Sequence, residues 1–471
     1  MDQPRTITEA AAALESGRTT SEELVESAIH AADQLDEILG VFINRYAEQA
    51  RAQAREIDAR RSAGEALGPL AGIPLGIKDI VAESQGPTTA QSLVLDPEWG
   101  QRIGDAPIVT RLKQAGGIVM GKTSTLEFAI GNPDRSKPFP VPASAWNADR
   151  WAGGSSSGSA SGVASDMFLG AIGTDTAGSI SMPSAFNGIT GLKPTFGRVP
   201  KSGIVSLGYT ADHPGPMARS AADCALMLSV IAGYDASDTY CADRPVDDYL
   251  GALTGDLAGV RIGFDTLEAA ATGGIDPAQP DLFQSALREL EAAGAEVVPV
   301  TVPMWAEGIT TDLVIMLSEA LAYHQSDLQS RWSDYGQGFR IAVGAGDAFS
   351  GADYVQAQRV RRVIRNKLSA LYQEVDLIVT PTAHVGPPLL SDVSTLNPIG
   401  VLASVQTPYW PAVGVPVLTV PIGTSSVGTP LAMSIAGPWW HEAHVLCAGD
   451  AYQRRTSFHL ERSPLIPPAG A

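Results

Sequence analysis

Residues 153–173 read GGSSSGSASGVASDMFLGAIG. The opening run, residues 153–162, is the most glycine- and serine-rich stretch in the chain. In isolation such a run is a flexible linker. Here apolar, helix-compatible residues follow at once, which predicts an ordered loop feeding a helix. Residues 166–173, DMFLGAIG, then read as a short buried strand. Loop, helix and apolar strand in immediate succession set the texture of an α/β chain.

The same texture extends to both sides. GIPLGI (72–77), GGIVMG (116–121) and GVRIGF (259–264) are short apolar runs between glycine and proline, and they read as buried strands. Residues 282–293 predict a helix, 296–300 a strand, 354–371 a helix and 376–380, DLIVT, a strand. Such alternation implies an α/β fold with a largely parallel or mixed sheet. Residues 5–65 read as helices instead. Thr20 and Glu23 fit a capping box, and Leu24, Ala28, Ala31, Ala32 and Leu35 recur at helical spacing. A second helix spans residues 46–61, and the whole segment is expected to pack on the outside of the core. The 48 glycines and 33 prolines are spread along the chain, with no internal repeat. The expectation is one domain over residues 1–471, with 1–65 packed on it and the candidate chemistry within 72–230.

Composition narrows the function. Hydrophobic residues make up 44% and charged residues 18%, against a usual charged share of about 25%. Little surface relative to volume argues for one thick globule. There are 51 acidic and 32 basic residues, a net charge of -19. Nucleic-acid binding needs a basic face, so the acidity argues against that class while leaving room for a small basic patch, and anionic membrane surfaces are disfavoured. Cys224, Cys241 and Cys447 are scattered, with no CxxC, so neither a zinc cluster nor a disulfide framework is expected. That usage suits a reducing compartment. The start, MDQPRTITEA, has no charged-then-apolar leader, so a cytoplasmic protein is expected. The most apolar segment, 410–422, is broken by Pro411, Pro416 and Pro421 and cannot supply the roughly 20 apolar residues of a membrane helix. His441 and His444 stand at i, i+3, whereas a zinc H-E-x-x-H needs i, i+4, so they read as the first turn of the last helix. No Walker loop is present and no G-x-G-x-x-G follows a strand, so no metal, nucleotide or other cofactor is expected.

Three features carry candidate chemistry. Lys78 ends an apolar run in AGIPLGIKDIV (71–81). It is either a snorkelling or Asp79-paired lysine, or a desolvated amine whose lowered pKa makes it a general base. GGSSSGSA (153–160) holds Ser155, Ser156, Ser157 and Ser159. GTDTAGSISMP (173–183) holds Ser179 after the small residues Thr176, Ala177 and Gly178. A tight turn of small residues aims backbone N–H groups at one spot, as an oxyanion hole requires, and a serine there can attack a carbonyl. The same residues are also ordinary choices for a helix cap or turn. GSSSG (154–158) matches G-x-S-x-G around Ser156, but in a run of Gly and Ser that match arises by chance. No serine stands three residues before any lysine, and none of the seven histidines sits in a motif of comparable quality.

Lys78, GGSSSGSA (153–160) and GTDTAGSISMPSAFNGITGLKPTFGRVP (173–200) together resemble the amidase signature family. The resemblance covers nearly the whole chain. GIPLGIKD (72–79), AGGIVMGKTSTLEFA (115–129), DHPGPMARSAADCALML (212–228), DLIVTPT (376–382), GVPVLTVPIG (414–423) and GTPLAMSIAGP (428–438) fall in family order. It implies a single α/β domain around a mixed, twisted sheet covered by helices on both faces. It also implies a Ser–cis-Ser–Lys triad that forms an acyl-enzyme without metal or cofactor. Ser179 would be the nucleophile, Ser155 the bridging serine and Lys78 the catalytic lysine. The oxyanion hole would be the N–H groups of Thr176, Ala177, Gly178 and Ser179.

Three positions depart from the family pattern: Ser157 and Ala177 where glycine is usual, and Ser181 where most members carry arginine. None is a triad member, but they leave the substrate open. The favoured expectation is a hydrolase of small linear or aryl amides, with carbamates, anilides and esters as co-substrates. The alternatives are the glutamine-hydrolysing A subunit of a tRNA-dependent amidotransferase and an allophanate- or urea-type hydrolase. Specificity is expected from residues 129–151 and 303–350. Ala129, Ile130, Gly131 and Trp146 are the candidate substrate contacts; Phe139, Trp151, Trp305, Met316, Tyr323 and Phe339 line a pocket or fill the core. The resemblance is compatible with a monomer or a homodimer.

Overall fold

The computed structural model describes residues 4–397 and 400–466. Its strands, in chain order, are β1 (Phe42–Arg45), β2 (Pro74–Lys78), β3 (Ile118–Thr123), β4 (Ala143–Ser144), β5 (Asn147–Trp151), β6 (Gly170–Asp175), β7 (Thr190–Lys193), β8 (His213–Ala218), β9 (Arg261–Phe264), β10 (Glu296–Pro299), β11 (Leu377–Pro381), β12 (Val417–Thr424) and β13 (Pro430–Ala436). Eleven of them form one mixed sheet in the order β1-β3-β2-β6-β8-β7-β12-β13-β11-β9-β10, and β4 and β5 pair separately. Every residue of β2, β3, β6, β8 and β13 is buried. Strands covered on both faces read as continuous apolar runs rather than alternating ones, hence the short unbroken runs in the sequence.

The N-terminal segment departs from the all-helical expectation. Helices Ile7–Glu15, Ser21–Leu39 and Ala47–Ser62 are present, and the Thr20–Glu23 capping box closes the second. Between the second and third, however, β1 pairs antiparallel with β3 at the edge of the sheet. Four residues are too few for periodicity to mark a strand, and only the partner β3 makes it one. The strand expected at 166–173 begins later, at Gly170. Helix Ser157–Ala164 ends with Asp166 N donating to Val163 O and Met167 N to Gly162 O, with Asp166 at φ 61°. This left-handed helix stop occupies the residues before the strand.

The sheet places the candidate chemistry. β2 and β6 are adjacent and parallel, with Leu75 opposite Gly170 and Ile77 opposite Ile172. Lys78 ends the first strand and Asp175 the second, so both emerge at the same edge. In sheets of this kind ligands bind outside the carboxyl ends of the strands. No helix among the described residues is long and apolar enough to cross a membrane.

Candidate active site

Lys78 is fully buried. Its Nζ donates to Ser155 Oγ at 2.7 Å, Ser156 Oγ at 3.0 Å and Thr174 Oγ1 at 2.8 Å. Burial pulls its pKa down to about 7, against the opposing charges of Asp175 and Asp212. The expected alternative, pairing with Asp79, is not found. Asp79 turns to the other side of the strand end, where it lies 3.7 Å from Lys122 and accepts from Thr89 N.

Two serine-bearing loops meet this amine. The peptide between Gly154 and Ser155 is cis. Ser156 N donates to Ser179 O at 3.2 Å, and the Ser156 hydroxyl donates to Thr174 O and accepts from Thr174 N. Ser156 therefore ties the loop to β6 and to the turn carrying Ser179. No hydrogen bond joins the Ser155 and Ser179 hydroxyls among the described residues, so the loops are held in register through Ser156. Ser157 begins the following helix and its hydroxyl closes back on Gly153 O at 2.5 Å.

Asp175 shapes the turn after β6. Its carboxylate accepts from the N–H groups of Gly178 (2.6 Å), Ile180 (2.9 Å) and Ser181 (3.2 Å), and from Ser181 Oγ (3.3 Å). Ser181 thus braces the turn through both its N–H and its short hydroxyl. Gly178 adopts φ 111°, and a Cβ there would collide with Thr407 Oγ1. Thr407 in turn donates to Ala177 O. Of the four expected oxyanion donors, Gly178 N–H is taken by Asp175. The N–H groups of Thr176, Ala177 and Ser179 have no hydrogen-bond partner among the described residues. Ser179 itself is partly exposed.

Asp175→Asn places one N–H₂ group where the carboxylate accepted backbone hydrogens. Each lost or opposed buried hydrogen bond costs about 1–3 kcal/mol. The variant is expected to lower the melting temperature. Misaimed oxyanion donors would also cut kcat by about 10²–10³-fold. Thermal unfolding and initial rates check both, and a variant matching wild type would show that Asp175 does not hold the turn.

Beside the turn lies a cavity of about 250 Å³, lined by Ile80, Thr174, Thr176, Lys201, Tyr209 and Asp212 among others. Thr176 Oγ1 donates to Asp212 at 2.7 Å, and burial pushes the Asp212 carboxyl above its usual range. Ser156 in its tying role, Thr174, Asp175, Asp212 and the 201–209 segment were not singled out from the sequence. Thr174 and Asp175 directly precede the small-residue turn, and that adjacency was the available signal.

The other expected contacts are placed as follows. Ala129 (φ 66°) and Ile130 are buried, and Gly131 abuts Gly338 and Phe339. Trp146 Nε1 donates to Asn187 O at the end of helix Ser181–Asn187, which follows the candidate nucleophile. Trp151, Trp305 and Phe339 are core residues; Trp305 stacks on Tyr409 and Phe339 on Tyr335. His441 and His444 sit 5.2 Å apart at the start of helix Glu442–Gln453. No group of three or more His, Cys, Asp or Glu among the described residues could hold a metal ion.

Comparison with known proteins shows the family. The amidase family profile matches residues 23–446. The chain belongs to the amidase signature family. It is 36% identical over 498 residues to a glutamyl-tRNA(Gln) amidotransferase A subunit from Chloroflexus aggregans, covering 98% of each chain. Its fold is similar to the peptide amidase of Stenotrophomonas maltophilia (TM-score 0.83, 30% identity, 96% of each chain). It is also similar to the glutamyl-tRNA(Gln) amidotransferase A subunit of Thermotoga maritima (TM-score 0.80, 26% identity, 99% of this chain and 98% of that one).

Proposed function

We propose that the chain hydrolyses a primary carboxamide and releases ammonia through an acyl-enzyme on Ser179. The observation that carries this reading is the fully buried Lys78 amine, 2.7 Å from Ser155 Oγ and beside the 176–179 turn. Neutral Lys78 takes the proton of Ser155, and Ser155 takes that of Ser179 as it attacks the carbonyl. The oxyanion develops against the unpartnered N–H groups of Thr176, Ala177 and Ser179. The proton returns through Ser155 to the departing nitrogen, which leaves as ammonia. Water then hydrolyses the ester on Ser179, activated by the same pair.

Glutamine is the first substrate to try, because the similarity to amidotransferase A subunits extends over 98% of the chain. In that reading the chain acts with partner subunits. The three free thiols suit the cytoplasmic location it requires. The second reading, a stand-alone hydrolase of small or aryl amides and carbamates, is supported by the similarity to a peptide amidase.

The two readings separate on the leaving group. Purified chain is given glutamine, simple primary amides, anilides and aryl carbamates, and ammonia or amine release is followed. Ammonia from glutamine alone supports the amidotransferase reading. Turnover of anilides or carbamates but not glutamine supports the second. Release from none of them, with or without candidate partner subunits, sinks the proposed function.

A further inference from the structure

Helix Gly351–Leu371 carries Arg359, Arg362 and Arg365 at intervals of three, all exposed. Residues at that spacing are neighbours on a helix surface, and like charges there cost about 0.2–0.5 kcal/mol per pair. Six residues of helix put the outer two about 9 Å apart along the axis. None of the three forms an ion pair among the described residues. Among the described residues the one hydrogen bond of Arg359 is to Gln356 Oε1, at 3.3 Å, and the Arg365 guanidinium lies over the Trp439 ring at 5.1 Å.

These arginines face an open groove of about 770 Å³, whose lining among the described residues includes the amides of Gln358 and Asn366 and no carboxylate. The carboxylates behind it are engaged or enclosed. Glu319 accepts from Thr210 and Tyr354, and Asp312 is buried. Arg361, the one buried arginine of the group, is held by Ala412 O and Thr210. Lys201 adds positive charge behind the aromatic wall, 4.7 Å over the Tyr240 ring. In a chain of net charge -19, an uncompensated row of guanidinium groups beside two amides is a place for negative charge. Guanidinium forks match carboxylate and phosphate oxygens two at a time, and the groove has the volume of a small-molecule site.

We propose that this groove binds a small polyanion, a phosphate compound or a polycarboxylate, through Arg359, Arg362 and Arg365. The groove shares no lining residue with the cavity beside the 176–179 turn, so the proposal does not rest on the amide chemistry.

Calorimetric titration with pyrophosphate and with citrate, repeated at rising sodium chloride, tests it. Wild type is expected to bind at least one probe at a single saturable site that weakens with salt. R362Q/R365Q is expected to bind at least about tenfold more weakly, the loss that follows removal of charge-assisted hydrogen bonds. Amide turnover without the anion should be unchanged, showing that the variant folds. Pyrophosphate alone would identify a phosphate site, citrate alone a polycarboxylate site, and both a general polyanion site. No saturable binding of either, or equal binding by R362Q/R365Q and wild type, overturns the proposal. R359Q alone serves if the double variant fails to fold.

Discussion

Ser179→Ala is expected to abolish amide turnover and leave the fold unchanged. Ser179 is partly exposed, and removing its hydroxyl strands no hydrogen-bond partner among the described residues. A substitution of that kind stays within about 0.5 kcal/mol of wild-type stability. Its chemical effect is of another order. Without the hydroxyl no acyl-enzyme forms, and residual catalysis comes only from the oxyanion donors and substrate binding. Loss of a serine nucleophile that acts within a relay lowers kcat by about 10⁴–10⁶-fold. Lys78, Ser155 and Ser179 act as one unit, so losses should not add. The Lys78→Ala/Ser179→Ala double variant should be no slower than Ser179→Ala. Steady-state rates on a turned-over amide, with circular dichroism as the folding control, check both points. Wild-type turnover by Ser179→Ala would remove Ser179 from the mechanism, and strictly additive losses would show that the three residues do not share one proton path.

The sequence was legible where local pattern and tertiary role coincide. The GIPLGI and DLIVT runs became β2 and β11, because strands buried on both faces need unbroken apolar side chains. The same burial made Lys78 conspicuous, since a lysine at the end of such a run must lose its water. What was not legible depended on partners far along the chain. β1 is a strand only because β3 lies beside it. Gly178 N–H is unavailable as an oxyanion donor because the Asp175 carboxylate curls back over the turn, and a motif cannot show where a side chain points. Thr407 reaches the turn across 230 residues of chain. Trp305 and Phe339, in a segment outside the shared motifs, fit either a pocket or the core, and their stacking on Tyr409 and Tyr335 places them in the core. Long-range packing decides such cases, and residue type alone does not.

The sharpest consequence of the structure concerns pH. Burial holds Lys78 at about 7, below its ordinary 10.5. A relay that begins with a neutral amine then runs in proportion to the deprotonated fraction. kcat should climb about tenfold per pH unit below the folded pKa and level off above it. Lys78→Arg cannot follow, because a guanidinium stays protonated. It is expected to be slower by at least about 10³-fold, with no recovery at high pH. Stability gives an independent reading. Between the folded pKa near 7 and the unfolded value of 10.5, the unfolded chain binds a proton at Lys78 that the folded chain lacks. The Lys78 contribution to stability therefore rises with pH across that window and is least favourable below it. Lys78→Met removes this slope. The melting temperature of wild type minus that of Lys78→Met should increase from pH 7 to pH 10, read by calorimetry on the two proteins side by side. A difference that stays flat would mean that the amine is protonated in the folded state throughout, and a protonated Lys78 cannot start the relay.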